Sequence, residues 1–272
     1  MTTLTSVPKA QQRSFAARTA DLAVMELRLL VRNKVALFNA LALGPLMVLA
    51  TLSLIDGRVV DVEGGFTAGI VTSILVFALL FVVYYNLTTT AVARREELML
   101  KRLLTGESTR WEVLVAMALP SFLVVLAQAV LSLIAAAFAF GMPPMTNVIW
   151  MIAALIGGTV IMATLGYAST AFTKTVEAAQ LTTMPFLLGA ILLSGLLFPT
   201  PEGPTAWLFD LSPAAPIVQL LQLGLTGVSA DGQSVDFLGS FAAAGQPLLV
   251  MIAWVAIGIE LTRRYLRWEP RR

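Results

Sequence analysis

Few side chains in this sequence suit covalent chemistry. The 272 residues include no histidine and no cysteine. That removes imidazole acid–base catalysis, Ser–His triads, thiol nucleophiles, disulfides and cysteine-bound zinc together. No GxxxxGK[ST] segment occurs, so there is no glycine cradle and lysine to hold a nucleotide phosphate. Asp-rich metal motifs and intramembrane Asp–Asp pairs are also missing, which argues against a transferase or protease. Two kinds of chemistry remain. A charged segment, ARREELMLKRLLTGESTRWE at 93–112, could dock a partner, and neutral hydroxyls and aromatic rings at helical spacing could handle an apolar molecule.

The elements that carry these residues are membrane helices. The chain is 58% hydrophobic and 12% charged, with a mean hydropathy of +0.84, against about 45 to 50% and about 25% in soluble domains. Its apolar residues fall in runs of about 20, the length of a helix crossing ~30 Å of hydrocarbon. Spans are expected at 35–55, 68–93, 113–138, 147–173, 181–199 and 246–264. The fold class is therefore an all-α polytopic membrane protein, with a single membrane domain at 35–264 between a polar segment at 1–34 and a basic tail at 265–272. Of the 18 Lys and Arg residues, Arg58 alone falls on the far side of these spans, together with Asp56, Asp61, Glu63, Glu202, Asp210, Asp231 and Asp236. The excess of positive loops marks the cytoplasmic side, so both termini are expected in the cytoplasm. The basic groups then meet anionic lipid headgroups, and a pI of 9.1 is no sign of nucleic acid. No removable signal peptide is expected, because the first apolar run is full length and has no small-residue cleavage pattern.

Before the first span, Arg18, Asp21, Arg28 and Arg32 share one helical face, while Leu22, Val24, Met25, Leu29 and Val31 occupy much of the rest. The pattern predicts a helix along the inner membrane surface; a cytoplasmic extension of the first span is the alternative. In the charged segment, Glu97 and Lys101 are spaced i,i+4, and Met99, Leu100, Leu103 and Leu104 share a face that Arg94, Glu97 and Lys101 avoid. Such a helix can dock a soluble partner or can simply satisfy its own ion pairs. Trp111, Trp150, Trp207 and Trp268 fall near span ends, where amphipathic rings are at home; Trp254 does not. Ser121, Gln128 and Ser132 line one face of span three as expected helix contacts, Pro120 is a kink site, and Gly157, Gly158 and Gly166 permit close approach in span four. The only charge well inside a span is Glu260, near the cytoplasmic end of the last one. Carriers driven by ion gradients usually keep ionisable groups at membrane depth, so an external energy source is favoured and a proton-coupled carrier is the runner-up. The segment 199–245, with WLFDL and PIVQLLQLGL, is too apolar for an ordinary loop. Two short re-entrant helices or one interfacial helix would account for it.

Three segments resemble the membrane subunit of type-2 ABC exporters, the group that includes the daunorubicin-exporter permease. ELRLLVRNKVALFNALALGPLMVLA (26–50) is similar to the family's amphipathic helix, basic turn and proline-containing first span, here with Pro45. RREELMLKRLL (94–104) looks like its charged stretch after span two, although Leu98-Met99 and Thr105-Gly106 stand where the family usually has Gly-Thr and Thr-Pro. LLSGLLFPTPEGPTAWLFDLSPAAPI (192–217) resembles the end of span five and the outer segment, with Ser194, Gly195, Phe198, Pro199, Trp207 and Pro213 matching one by one.

The resemblance implies a permease that is not itself an enzyme, pairs with a second copy as a homodimer in the bacterial inner membrane, and engages two cytoplasmic ABC ATPase subunits. ATP and Mg would sit on that partner, with no cofactor in this chain. ATPase coupling would fall to Arg94, Arg95, Glu96, Glu97, Lys101, Arg102 and Leu103. Spans two and five face the dimer axis in the family, which makes Phe77, Phe81, Tyr84 and Thr88, with Thr182, Thr183, Phe186 and Ser194, candidates for the translocation path. Packing against neighbours or lipid is the alternative for each of these. Phe198, Pro199, Trp207 and Pro213 would belong to an outer gate. The substrate expected from the apolar composition is lipophilic.

Overall fold

A long apolar run can satisfy its backbone in hydrocarbon only as a helix or a closed barrel, and helices form nearly all of the regular structure in the computed structural model. It describes residues 15–32, 34, 38, 41–42, 65–99, 109–196 and 203–266. The expected first span, 35–55, lies almost wholly outside these residues. Among the described residues the helices are α1 (Phe15–Arg32), α2 (Gly65–Glu96), α3 (Arg110–Phe140), α4 (Val148–Ser169), α5 (Val176–Leu192), α6 (Ala206–Asp210), α7 (Ala215–Thr226), α8 (Gly239–Ala243) and α9 (Gly245–Tyr265).

Helices α2, α3, α4 and α9, of 32, 31, 22 and 21 residues, exceed the ~30 Å of a hydrocarbon core at ~1.5 Å per residue. They correspond to the expected spans two, three, four and six. Helix α5 has 17 residues and α7 only 12. Side-chain caps set the starts. Thr109 and Glu112 form a reciprocal capping box at α3, and Asn147 and Thr175 accept from the first-turn N–H groups of α4 and α5. Such caps satisfy donors that a helix start otherwise leaves unpaired.

Helix α4 sits at the centre, and its glycines explain how. A Cβ on Gly157 would lie 2.1 Å from Met251 Sδ of α9, one on Gly158 2.8 Å from Leu79 of α2, and one on Gly166 2.9 Å from the Tyr84 carbonyl oxygen. The expected close approach is thus made to two neighbours, α9 and α2, and Gly258 of α9 returns it against Thr164 Oγ1. Helix α7, too short to span, is nonetheless buried. Ile217, Leu220 and Leu221 are fully enclosed, and the α7 end is tied to the segment before α4 by Met145 N–H to Leu225 O and Asn147 N–H to Gly224 O, at 2.8 and 3.0 Å. Outward faces of α3 and α9, including Val130, Leu131, Ile134, Phe138, Leu249 and Ile252, are apolar and exposed, as lipid contact requires.

Two tryptophans tie separate elements together. Trp150 lies in the first turn of α4 and is buried, its indole N–H donating to Ser240 Oγ at 2.9 Å, beside Asn147 Nδ2 on the same oxygen. Trp254, which fits no interfacial rule, donates to the Leu211 carbonyl at 2.8 Å and so holds the end of α6 against α9.

Candidate functional site: the basic end and the facing helices

The final turn of α2 carries Arg94 and Arg95, and their side chains leave in different directions. Arg94 forms a bidentate ion pair with Glu26 of α1, the fork geometry in which an arginine binds a carboxylate most firmly. Arg95, 1% exposed, donates to the carbonyls of Thr170, Thr173 and Lys174 at 2.8, 2.6 and 3.2 Å. These carbonyls terminate α4 and form the turn into α5, where a helix end has acceptors to fill and favours a cation. A second tie runs from Arg18 of α1 to the buried Glu112 of α3, at 2.8 Å. One end of the molecule is therefore cross-braced through α1, α2, α3 and the α4–α5 turn.

Glu96 and Glu97 lie beyond the braces and are exposed, as are Leu98 and Met99. The segment 94–104 is not one uninterrupted amphipathic helix, as its pattern predicts. Residues 94–96 close α2, and Leu98 adopts a left-handed φ of 58°, a conformation costing a non-glycine residue of order 1–3 kcal/mol. Arg94 and Arg95, held on two neighbours, fix where α2 stops. Glu97 caps the end of α2. Lys101, Arg102 and Leu103 are outside the described residues.

Along α2, residues Leu79–Tyr85 form a π-helical segment, a widened turn that recurs at functional sites. Of the four candidate path residues, Phe81 and Tyr84 lie within it, Phe77 before it and Thr88 beyond it. Phe77 is buried and stacks with half-buried Phe81 at 6.2 Å. Tyr84 packs on Phe186 of α5 at 4.2 Å, and its hydroxyl bonds Ser169 Oγ at 3.0 Å. Thr88 donates to its own turn at Tyr84 O and lies 3.1 Å from Gly166 O of α4. Tyr84 and Thr88 thus direct their polar atoms to α4, while Phe81 and Phe186 remain partly open. On α5, Thr183 is buried and bonded to Ala179 O, whereas Thr182 is exposed and bonded to Thr173 Oγ1 at 2.8 Å.

At the opposite end, Ser194 is buried and donates to Ile191 O. It lines a small cavity of about 80 Å³ with Asp210, Gln219, Gln222 and Ser229, where α6 and α7 meet the end of α5. Ser212 Oγ donates to Leu193 O at 2.9 Å across the same junction. Trp207 is exposed on α6 and Pro213 precedes α7; Phe198 and Pro199 lie outside the described residues. The expected helix contacts on α3 are buried, and among the described residues Gln128 reaches another element, through a 3.5 Å contact to Leu41 O. Ser132 bonds its own helix.

Sequence reasoning found the charged segment but missed the partners of its arginines. Glu26 and the α4 carbonyls carry no pattern of their own, and only the arginine pair at a span end could have signalled a brace.

No curated protein matches the chain in sequence. The family model for ABC-2 type transporters matches residues 22–225, from α1 through the braced end and the facing helices to α7. Together with four apolar helices long enough to cross a bilayer, this shows a multi-pass membrane protein and an ABC transporter permease: the chain belongs to the ABC-2 type transporter family.

Proposed function

We propose that this permease exports a lipophilic substrate, powered by a separate cytoplasmic ATPase that carries ATP and Mg. Family permeases work with ATPase subunits, typically as dimers; the proposed assembly has two identical permeases and two ATPases in a bacterial inner membrane, with six spans per chain and both termini cytoplasmic. The observation that carries this reading is the braced end. Exposed Glu96 and Glu97 directly follow two arginines that grip α1 and the α4–α5 turn, so a push by a docked partner would reach several helices at once. Arg94 and Arg95 then act as positioning groups, and Glu96, Glu97 and the segment through Leu103 meet the ATPase.

The second copy is proposed to cover α5, whose Leu181, Met184, Leu188 and Leu192 form an exposed apolar stripe. The path then lies between the copies beside Phe81 and Phe186, and the buried α7 with α6 serves as a re-entrant lid over its outer mouth.

Purified chain should hydrolyse no ATP, and a co-expressed family ATPase should co-purify with it. Efflux should persist when the proton gradient is collapsed at constant ATP and stop when the ATPase P-loop lysine is replaced. Efflux that vanishes with the gradient alone would return the chain to the carrier class. Because the protein has no cysteine, Leu188→Cys gives a clean dimer test: oxidation should yield a covalent dimer, and a strictly monomeric product would place the second copy elsewhere.

A further inference from the structure

One cavity opens on the α3–α4 face, away from the proposed path. It is a groove of about 460 Å³ along α3 and α4, lined by Leu114, Ala118 and Phe122 on one side and Ile156, Val160 and Ala163 on the other, with Ile259 of α9 at its edge. No residue of α2 or α5 lines it. Its wall offers a ligand only hydrocarbon. The hydroxyls of Thr159, Thr164 and Tyr167, its polar lining groups, donate to the carbonyls of Leu155, Val160 and Leu114 at 2.7, 2.7 and 2.8 Å. A groove of this kind holds an apolar chain rather than water.

At the basic end the groove adjoins a second cavity, of about 290 Å³, through the shared residues Trp111 and Leu114. Here the lining changes to Arg110, Thr262 and Arg263. Arg263 is 66% exposed and stands 3.8 Å from Glu260, whose carboxylate is hydrogen-bonded to Arg264. An apolar trough leading to two guanidinium groups, with an indole at the junction, has the polarity order of a phospholipid: acyl chain, headgroup boundary, phosphate. Arginine suits the last of these, because its fork matches phosphate oxygens.

We propose that this composite groove binds an anionic phospholipid, with an acyl chain along α3 and α4 and the phosphate between Arg110 and Arg263, held as a bound component and not as cargo. The proposal does not depend on the path, the ATPase or the side of the membrane.

The test uses full-length protein, delipidated and exposed to phosphatidylglycerol or phosphatidylcholine, with retained lipid counted by native mass spectrometry. Wild type should retain phosphatidylglycerol preferentially. Arg110→Gln with Arg263→Gln should reduce that preference about thirtyfold, as expected for two basic groups at a membrane surface, and Lys174→Gln, exposed on the α4–α5 turn and not in the cavity lining, should leave it unchanged. Ala118→Phe, which fills the groove, should lower retention of both lipids. Equal retention of the two lipids by wild type, or an unaltered preference in the double variant, would overturn the site. Displacement by millimolar inorganic phosphate would also overturn it, by reducing it to an anion site without an acyl groove. If the variants fail to fold, phosphatidylglycerol brominated on its acyl chains gives an independent readout on wild type. It should quench the Trp111 emission, obtained as the difference from Trp111→Phe, more than the brominated phosphatidylcholine does, and equal quenching would sink the proposal.

Discussion

Helices α4 and α5 follow one another in the chain, separated by one turn, yet they are fastened very differently. Helix α4 meets neighbours along its length, through glycines that let Leu79, Met251 and the Tyr84 backbone come close and through Gly166 O, Thr164 O and the terminal carbonyls, which accept from Thr88, Thr262 and Arg95. Helix α5 buries only Ala179, Thr183, Leu187 and Ala190, and its Gly189 has open space where a Cβ would stand. Both helices are apolar. The difference lies in small residues and backbone acceptors, which decide whether an apolar membrane helix becomes a fixed axis or stays available to another subunit.

The sharpest way to break this comparison is a matched pair of glycine substitutions. Gly166→Leu drives a side chain into the Tyr84 backbone, which has no rotamer to yield, and should cost about 3 kcal/mol or more; monodisperse protein should be lost on size exclusion. Gly189→Leu meets nothing in the monomer and gains helix propensity of up to about 1 kcal/mol. Its monomeric form should stay monodisperse and melt no lower than wild type. Equal damage from both would show that α5 is packed as tightly as α4.

Next in size is the joint between the two. Arg95→Gln strands carbonyls at the end of α4 and should lower stability by about 2–3 kcal/mol. Trypsin cleavage after the exposed Lys174 should accelerate as the turn loosens, and unchanged cleavage would mean that the turn holds without its arginine. Smaller still, Tyr84→Phe removes the bond to Ser169 but keeps the ring on Phe186, for a loss of about 1 kcal/mol in thermal unfolding. A larger loss would mean that the α2–α4 contact depends on that hydroxyl more than on the Gly166 approach. The smallest effect is expected at Glu260→Gln. This carboxylate is exposed and paired with Arg264 on the same helix, and exposed pairs of this kind contribute little. Melting and efflux should both stay near wild type, and loss of efflux would point to proton coupling.

How much of this was legible in the sequence follows from what each residue type reports. Apolar runs marked four of the long helices to within a few residues, and glycines in span four marked the close approaches, since both signals are local. The buried α7 was foreseeable from PIVQLLQLGL, whose hydrophobicity no surface loop would keep. The extent of α5 was not, because apolar residues continue past Leu192 while the helix closes with Leu193 N–H on Gly189 O. Periodicity also misplaced the charged segment. A smooth 100° pattern through residues 94–104 cannot show that Arg94 and Arg95 are anchored to elements 68 and 75 residues away. The candidate path residues suffered from the same limit: Tyr84 and Thr88 sit at ordinary helical spacing, and only the three-dimensional neighbours reveal that α4 takes up their polar atoms.

The π segment at Leu79–Tyr85 changes what the gene can lose. An i→i+5 closure accommodates one residue more than an α-helical turn, so the two flanks of α2 keep the alignment of a regular helix that is one residue shorter. Loss of a single codon within this segment would let the turn close as α-helix and leave Thr88 and Arg95 facing their present partners. The same loss in a regular part of α2 would rotate everything beyond it by about 100°. A membrane helix that must keep distant anchors in phase therefore has one place where its length is adjustable, and that place is beside the rings that pack towards α5.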